Sequence, residues 1–276
     1  MTTKKTPDQS KITSVVAKET DGNIQITFTI PFVVIKKAQD DTLVEFAKDA
    51  EIPGFRKGKA PLDKVAAKIS QSALMEHSLG HILPKALGEA INEHKLKLAI
   101  YPKFELVSAE NEKDWQIRGV TCELPEVELG DYKSIIKNTK PHSAKASRGE
   151  EEVIKILLET VKINIPKILI EEEVNGRLSN LLARIEKLGL ALEGYLTSVG
   201  KTVESLRAEY EVQAKEAITL DLALSKIGEE ENLKVSEKEI TEALKVSDAK
   251  DGEDRKRLIE SILKRRKALD FLMKLD

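Results

Sequence analysis

Residues 53–61 read Pro-Gly-Phe-Arg-Lys-Gly-Lys-Ala-Pro and predict a tight loop that protrudes from the fold. Gly54 and Gly58 permit backbone angles that other residues avoid, so the chain can turn sharply at both positions. Pro53 and Pro61 stiffen the two ends, and Pro61 is well placed to open a following helix. A rigid cationic tip that also carries an exposed phenylalanine suits docking onto an anionic surface with an apolar notch, as RNA-rich assemblies provide.

Two other interpretations of this loop have to be weighed. A basic turn can be a solvated turn whose charges have no partner, and the residues alone leave that interpretation open. A phosphate-binding loop of the Walker A type needs G-x-x-x-x-G-K followed by Ser or Thr. Here only three residues separate the glycines, and Ala60 has no hydroxyl for a magnesium ion. The nucleotide-binding interpretation is therefore excluded.

The run from Ile52 to Pro61 resembles the ribosome-docking signature of trigger factor, the bacterial chaperone at the nascent-chain exit. In that family the Phe-Arg-Lys triplet contacts a ribosomal protein and rRNA beside the tunnel mouth. The resemblance implies an ATP-independent, ribosome-associated chaperone that shields unfolded nascent polypeptides from aggregation. It implies no cofactor and no DNA or membrane partner, and it leaves a weak homodimer away from the ribosome open. The implied ribosome-binding residues are Gly54, Phe55, Arg56, Lys57, Gly58 and Lys59.

On both sides of the loop, the sequence predicts an α+β domain over residues 1–124, with helices packed on an antiparallel sheet. The second strand alternates Ile24, Ile26, Phe28 and Ile30, and Asp21-Gly22 before it is a strong hairpin signal. This order of elements is similar to the ribosome-binding domain of trigger factor. The predicted strands cover residues 11–18, 23–30, 104–107 and 115–124.

Apolar residues at helical spacing predict helices between the second and third strands. One begins at Pro31 and ends near Ala50, a short one begins at Pro61, and a longer one covers residues 72–95. Pro84 lies inside the longer helix and should kink or break it. The inner face of the first helix is predicted to be Val34, Ala38, Leu43, Phe46 and Ala47.

Residues 125–149 predict an extended or partly flexible connector, because Lys, Ser, Asn and Gly dominate after Gly130. Residues 150–276 predict an all-α domain with helical arms, since apolar residues recur there at helical spacing almost throughout. Its sequence resembles the C-terminal chaperone domain of trigger factor. The runs that carry this resemblance are Asn164–Glu171, Gly200–Arg207, Glu231–Ile240 and Ala268–Leu272.

Local signals also predict how several of these helices begin and which side they bury. Thr202 should cap a long helix, and Ser236 with Glu239 should form a capping box. The apolar stripes of two other helices include Leu188, Leu258 and Ile262. For Leu181, Leu192, Tyr195 and Leu224, a core position and a client-facing position both remain open, with the core favoured.

The chain departs from the family at two points. Most trigger factors insert an FKBP-like prolyl isomerase domain, whose site grips the proline ring among aromatic side chains, between the connector and the chaperone domain. Here Tyr132 is the single aromatic residue between Trp115 and Tyr195, and the connector runs directly into the next helix. We therefore expect a short form without isomerase activity, and no other catalytic constellation is apparent. The second arm also looks short, with a loop predicted over residues 248–254.

Several alternatives to the ribosome-associated chaperone follow from these features. Isomerase activity, as in full-length family members, and a free cytosolic holdase are the alternatives that stay open. A scaffold for one fixed partner would be excluded by binding to many unrelated unfolded proteins. An envelope chaperone with a similar helical core would need a signal peptide, and residues 1–11 lack the apolar h-region of one.

Composition limits the remaining classes. The 276 residues include 45 Lys and Arg and 47 Asp and Glu, a net charge of −2, so any RNA contact must come from a local patch. No apolar run approaches the length of a membrane span, and a cytoplasmic protein is predicted. Cys122 is predicted to be a small buried residue. His77 and His81 lie at i,i+4, but no third ligand is apparent and no metal site is predicted.

Overall fold

A computed structural model of the chain describes residues 11–20, 22–110, 112–139, 149–246 and 252–275. The amino-terminal tail, Asp21 of the predicted hairpin turn, connector residues 140–148 and most of the loop predicted over 248–254 lie outside the described residues. The chain divides into two units, Met1–Leu124 and Pro125–Asp276, each with its own internal packing.

The first unit is built on a four-stranded antiparallel sheet. Its strands are β1 Thr13–Lys18, β2 Asn23–Ile30, β3 Lys103–Ser108 and β4 Trp115–Cys122, in the order β1-β2-β4-β3. The alternation predicted for β2 is confirmed, because its four apolar side chains on one face are each 1% exposed or less. They lie opposite inward residues of β4, with Phe28 paired to Ile117 and Ile30 paired to Trp115.

Three helices connect β2 to β3, and the first and third contribute the buried residues that pack on the apolar face of the sheet. The helices are α1 Phe32–Asp49, α2 Leu62–Ala66 and α3 Gln71–His94. The predicted inner face of α1 is partly right. Ala47 is buried and Val34 and Ala38 pack against the core, but the most buried apolar residue of α1 is Ile35.

Pro84 does not break α3, which continues from Gln71 to His94. A proline has no N–H to donate, so the carbonyl group of Gly80 loses its helical partner. Pro84 is exposed while its neighbours Ile82, Leu83, Ala86 and Leu87 are buried. Water can therefore hydrate the free carbonyl on the outer face of the helix, and the packed inner face keeps the helix in one piece.

The prediction of a connector over residues 125–149 is wrong for its described amino-terminal part. Strand β5, Val127–Glu128, and helix α4, Tyr132–Asn138, belong to the second unit. Leu129, Tyr132 and Ile136 are 7%, 3% and 0% exposed in the core of that unit. Tyr132 and Ile136 are four residues apart, the spacing of a buried helical face, a signal that the polar composition of this stretch concealed.

The rest of the second unit is almost entirely helical, as predicted. Strand β6, Lys162–Ile163, was not predicted, and it pairs antiparallel with β5. The main core of the unit includes Val153, Leu157, Ile227 and Leu272. The helices are α5 Glu150–Thr160, α6 Lys167–Lys187, α7 Leu192–Ser198, α8 Val203–Glu230, α9 Glu237–Val246 and α10 Glu253–Met273.

The apolar stripes of α6 and α10 are longer than the surfaces that the fold buries. Leu188, Leu258 and Ile262 belong to the predicted stripes, but they are 73%, 57% and 46% exposed. The buried residues of α10, Ala268 and Leu272, both lie in its carboxyl-terminal half. Helical periodicity identifies a possible packing face, but only a neighbouring element can bury it.

Both predicted helix starts of this unit are confirmed. Thr202 caps α8, where its hydroxyl oxygen accepts from the Ser205 N–H at 3.1 Å. At the start of α9, the Ser236 N–H donates to the Glu239 carboxylate at 2.8 Å, and the Glu239 N–H donates back to the Ser236 hydroxyl at 3.4 Å. Lys267 Nζ on α10 also donates to this carboxylate at 2.8 Å, so the capping box links two helices.

Because of these contacts, the stability of the second unit at acid pH depends on whether the Glu239 carboxylate is ionised. The hydrogen bond from Lys267, followed by those from Ser236, lowers the Glu239 pKa from its ordinary 4.5 to about 2. A lowered pKa stabilises the folded chain above pH 4.5, and this stabilisation is lost as the pH falls toward 2. Glu239→Gln keeps a capping side chain but removes the charge. In urea unfolding, the stability difference from the parent should therefore shrink between pH 4.5 and 2.

Glu237→Gln, in the same first turn of α9, is the matched control for that series. It should follow the pH dependence of the parent through the acid range. A stability difference for Glu239→Gln that does not change with pH would contradict the assigned role of the carboxylate.

Candidate functional site

The loop 53–61 joins the end of α1 to the start of α2, and hydrogen bonds within its backbone hold its shape. The Phe55 N–H donates to the Ile52 carbonyl oxygen at 3.0 Å, and the Lys59 N–H donates to that of Arg56 at 2.9 Å. Gly54 and Gly58 have φ angles of +87° and +74°, in the left-handed region that favours glycine. The predicted tight loop is therefore observed, with both glycines at its turns.

Gly58 has a second, steric reason to be glycine. A Cβ atom at this position would lie 2.8 Å from the Lys48 carbonyl oxygen in the last turn of α1. The Gly58 N–H also donates to the Ala50 carbonyl oxygen at 3.4 Å. The loop thus folds back against the helix end, and this close approach leaves no room for a side chain. Gly54 has nothing within 4 Å of the corresponding position.

The side chains of the loop face solvent. Phe55 is 44% exposed, and Arg56, Lys57 and Lys59 are all exposed. Lys57 Nζ lies 3.3 Å from Asp49 Oδ1, an exposed pair that contributes little to stability. Among the described residues, Arg56 and Lys59 have no ion pair. The structure thus brings the residues of the predicted site together on one small exposed surface, with two cations available for an external anion.

The two glycines provide a direct test of how the loop is held. Gly58→Ala should destabilise the chain by about 1–3 kcal/mol, because strain at positive φ adds to the collision with the Lys48 carbonyl oxygen. Gly54→Ala has the same backbone strain without the collision and should cost about 1 kcal/mol. Urea unfolding of both variants would measure the difference. Equal losses would contradict the packing of Gly58 against α1.

Other chemistry-bearing residues of the first unit have structural partners. His81 Nε2 lies 3.1 Å from Glu45 Oε2, and the His77 ring stands edge-on to Phe46 with 4.6 Å between centroids. Within the described residues, no group of three or more His, Cys, Asp or Glu is placed to hold a metal ion. Cys122 is fully buried, and burial raises the pKa of its thiol to about 11, which disfavours the reactive thiolate.

The second unit exposes several large apolar side chains between the end of α6 and the start of α8. They come from the turn after α6, the end of α7 and the start of α8, all within a short stretch of chain. Of the four residues whose position stayed open, Leu224 is buried, and Leu181, Leu192 and Tyr195 are half-buried. The exposed members are Leu188 at 73%, Leu190 at 53%, Val199 at 43% and Val203 at 52%.

Two of these exposed residues, Leu188 and Leu190, lie in the turn that ends α6. Gly189 adopts φ +68°, and the Leu190 N–H donates to the Ile185 carbonyl oxygen at 3.1 Å, which closes the helix.

No described helix of the protein is both long and apolar enough to cross a membrane.

Comparison with protein families identifies both halves of the chain. A family model described as bacterial trigger factor protein matches residues 13–157. A second model, described as the carboxyl terminus of bacterial trigger factor protein, matches residues 134–274. The two matches overlap, so no unmatched stretch lies between them.

Individual relatives agree with these matches. Trigger factor of Streptococcus agalactiae serotype III (strain NEM316) is 35% identical over 160 residues, which is 58% of this chain and 36% of the relative. Trigger factor of Streptococcus mutans serotype c is 34% identical over 161 residues, with the same two shares. The chain thus spans about a third of the length of the curated relatives it matches.

A solved structure has the same fold. It comes from work on "Promiscuous Substrate Recognition in Folding and Assembly Activities of the Trigger Factor Chaperone". It aligns with a TM-score of 0.60 over 95% of this chain and 99% of its own, at 13% identity. The predicted α+β class, with a helical carboxyl-terminal part, is confirmed. Because each family model matches more than half of the 276 residues, the chain belongs to the trigger factor family.

Proposed function

We propose that the chain is an ATP-independent chaperone that docks on the ribosome beside the nascent-chain exit. The observation that carries the proposal is the rigid loop that presents Phe55, Arg56 and Lys57 to solvent between α1 and α2. Gly54 and Gly58 shape the loop, and Lys59 adds a further cation. Aromatic side chains and arginine are both enriched at protein interfaces. In this proposal the cations face rRNA, and the chain works in the cytoplasm.

The helical unit would supply the surface that shields nascent chains. A contiguous patch of exposed apolar side chains on a folded protein marks a site for binding other chains. Leu188 and Leu190 in the turn after α6, with Val199 and Val203 around the start of α8, provide such a surface. Scattered contacts of this kind bind weakly and to many sequences, so clients can leave without nucleotide hydrolysis.

We further infer that the chain has no prolyl isomerase activity. The two family matches overlap, without an unmatched stretch in which the isomerase domain would lie. Tyr132, the single aromatic residue between Trp115 and Tyr195, is 3% exposed in the core of the helical unit. It is therefore not available to line a pocket for a proline ring.

A refolding experiment tests the chaperone and the isomerase together. The chain should suppress aggregation of a chemically denatured protein on dilution, equally with and without ATP. It should not shorten the proline-limited refolding phase of a second protein, which takes tens of seconds without a catalyst. A strict need for ATP would contradict the chaperone proposal, and faster proline-limited refolding would support the isomerase alternative.

The state of the chain away from the ribosome is a separate matter. We propose at most a weak homodimer there, which sedimentation over a range of concentrations would detect. If the chain suppresses aggregation but does not bind ribosomes, the free cytosolic holdase becomes the better description.

A further inference from the structure

The first unit carries an open apolar cleft directly behind the candidate docking loop. Its volume is about 300 Å³, and it lies between the end of α1 and the segment that begins with α2. Pockets for small molecules usually measure about 300–1,000 Å³. This cleft lies at the lower end of that range, so it has room for one side chain rather than for a larger ligand. Its apolar walls are Phe46, Ile52, Val65 and Ile69.

The walls of the cleft are already in place in the folded chain. Val65 is 1% exposed, and the other three wall residues are half-buried. The ring of Phe46 also contacts His77, which stands edge-on to it with 4.6 Å between centroids. A preformed apolar cleft binds an apolar group without first having to order its own side chains.

The cleft and the loop form one continuous surface, yet the loop does not fill the cleft. Ile52, a wall residue, accepts through its carbonyl oxygen the hydrogen bond from the Phe55 N–H at 3.0 Å. Phe55 itself is 44% exposed and is not among the residues that line the cleft. A partner seated on the loop would therefore lie next to the cleft as well.

Charge distinguishes the cleft from the tip of the loop. Three charged residues, Asp49, Glu51 and Lys68, line the cleft beside its apolar walls. Asp49 Oδ1 lies 3.3 Å from Lys57 Nζ on the loop, and Lys68 Nζ donates to the Glu51 carbonyl oxygen at 3.3 Å. The three charged lining residues carry two negative charges and one positive charge, so the cleft has no positive excess to attract phosphate. It offers Lys68 as a donor to a backbone or side-chain oxygen next to an inserted apolar group.

The tip differs, because Arg56 and Lys59 have no ion pair in the part of the chain that the structure describes. We infer that the cleft receives an apolar side chain from a protein partner when the loop docks, while these two residues face phosphate. The inference rests on the proposed function, and it divides the docking surface into a protein-binding cleft and an RNA-binding tip.

Filling the cleft should weaken ribosome binding by the same factor at every salt concentration. Ala50 lines the cleft and bonds the loop only through its carbonyl oxygen, so Ala50→Met adds a side chain without removing that contact. The full-length variant should bind bacterial 70S ribosomes about tenfold more weakly, the effect of excluding one apolar side chain. The slope of log affinity against log salt should stay that of the parent, because no phosphate contact is lost.

Three further variants make the measurement specific. Ala67→Met adds the same side chain at an exposed position that does not line the cleft, and it should bind like the parent. Ile69→Ser removes part of the wall without adding bulk, and it should also weaken binding. It therefore tests the cleft even if Ala50→Met disturbs the fold. Arg56→Ala should lower both the affinity and the salt slope, the slope by about one.

Each other outcome overturns the inference in a recognisable way. If both cleft variants bind like the parent while Arg56→Ala binds weakly, the cleft is empty on the ribosome and the proposed function stands. If Ala50→Met lowers the salt slope as Arg56→Ala does, the occupant is RNA. If the parent itself does not bind ribosomes, the proposed function is wrong, and the inference about the cleft, which rests on it, is wrong as well.

Discussion

Replacing Phe55, Arg56 and Lys57 together by alanine should reduce ribosome binding at least about a hundredfold, so that the variant stays in the supernatant when ribosomes are pelleted. Truncation of a well-placed aromatic or arginine side chain at an interface commonly costs about 2–4 kcal/mol. None of the three belongs to the core of the first unit, and Phe55 is 44% exposed. The fold should therefore survive the triple substitution, which circular dichroism and urea unfolding would verify.

A matched control separates the loop from general charge. Val33, Lys36 and Lys37 lie at the other end of α1 and are all exposed. Their triple alanine variant also removes two cations and one exposed apolar side chain, yet it should pellet with ribosomes like the parent. Equal losses in the two variants would point to non-specific attraction of a cationic surface. Unchanged pelleting of the loop variant would show that docking uses another surface.

Ile136→Ala should lower the free energy of unfolding by about 2–5 kcal/mol, the usual cost of a cavity in a packed core. Ile136 is 0% exposed, in the core that α4 shares with α5, α8 and α10. Its neighbour Ile135 is 42% exposed, so Ile135→Ala removes the same atoms from the same helix and should change stability by about 0.5 kcal/mol or less. Urea unfolding of the full chain would measure both.

Amide hydrogen exchange would locate the effect of Ile136→Ala. Exchange should become faster in α4, α5 and α8 and stay as in the parent in β2 and β4 of the first unit. If residues 127–138 were a solvated connector, the two isoleucine variants would both match the parent. That outcome would support the connector predicted from the sequence for this segment.

Much of the fold could be predicted because short-range signals and tertiary contacts agree. The strand over 23–30 has its predicted bounds, since its alternation of apolar and polar residues matches a sheet with one buried face. The caps at Thr202 and Ser236 depend only on atoms within one helical turn. The loop at 53–61 depends on glycines and prolines whose backbone preferences are intrinsic.

The sequence by itself determined most of the segments that are helices or strands, where several begin, and which residues form the cationic loop, because neighbouring residues alone set those preferences. Only the tertiary structure decided how each segment is used. Packing against α5 and α8 turned a polar stretch into α4, and the exposed outer face of α3 accommodated Pro84. The lack of a covering element left Leu188, Leu258 and Ile262 exposed. Burial depends on partners distant in the chain, and no local pattern contains that information.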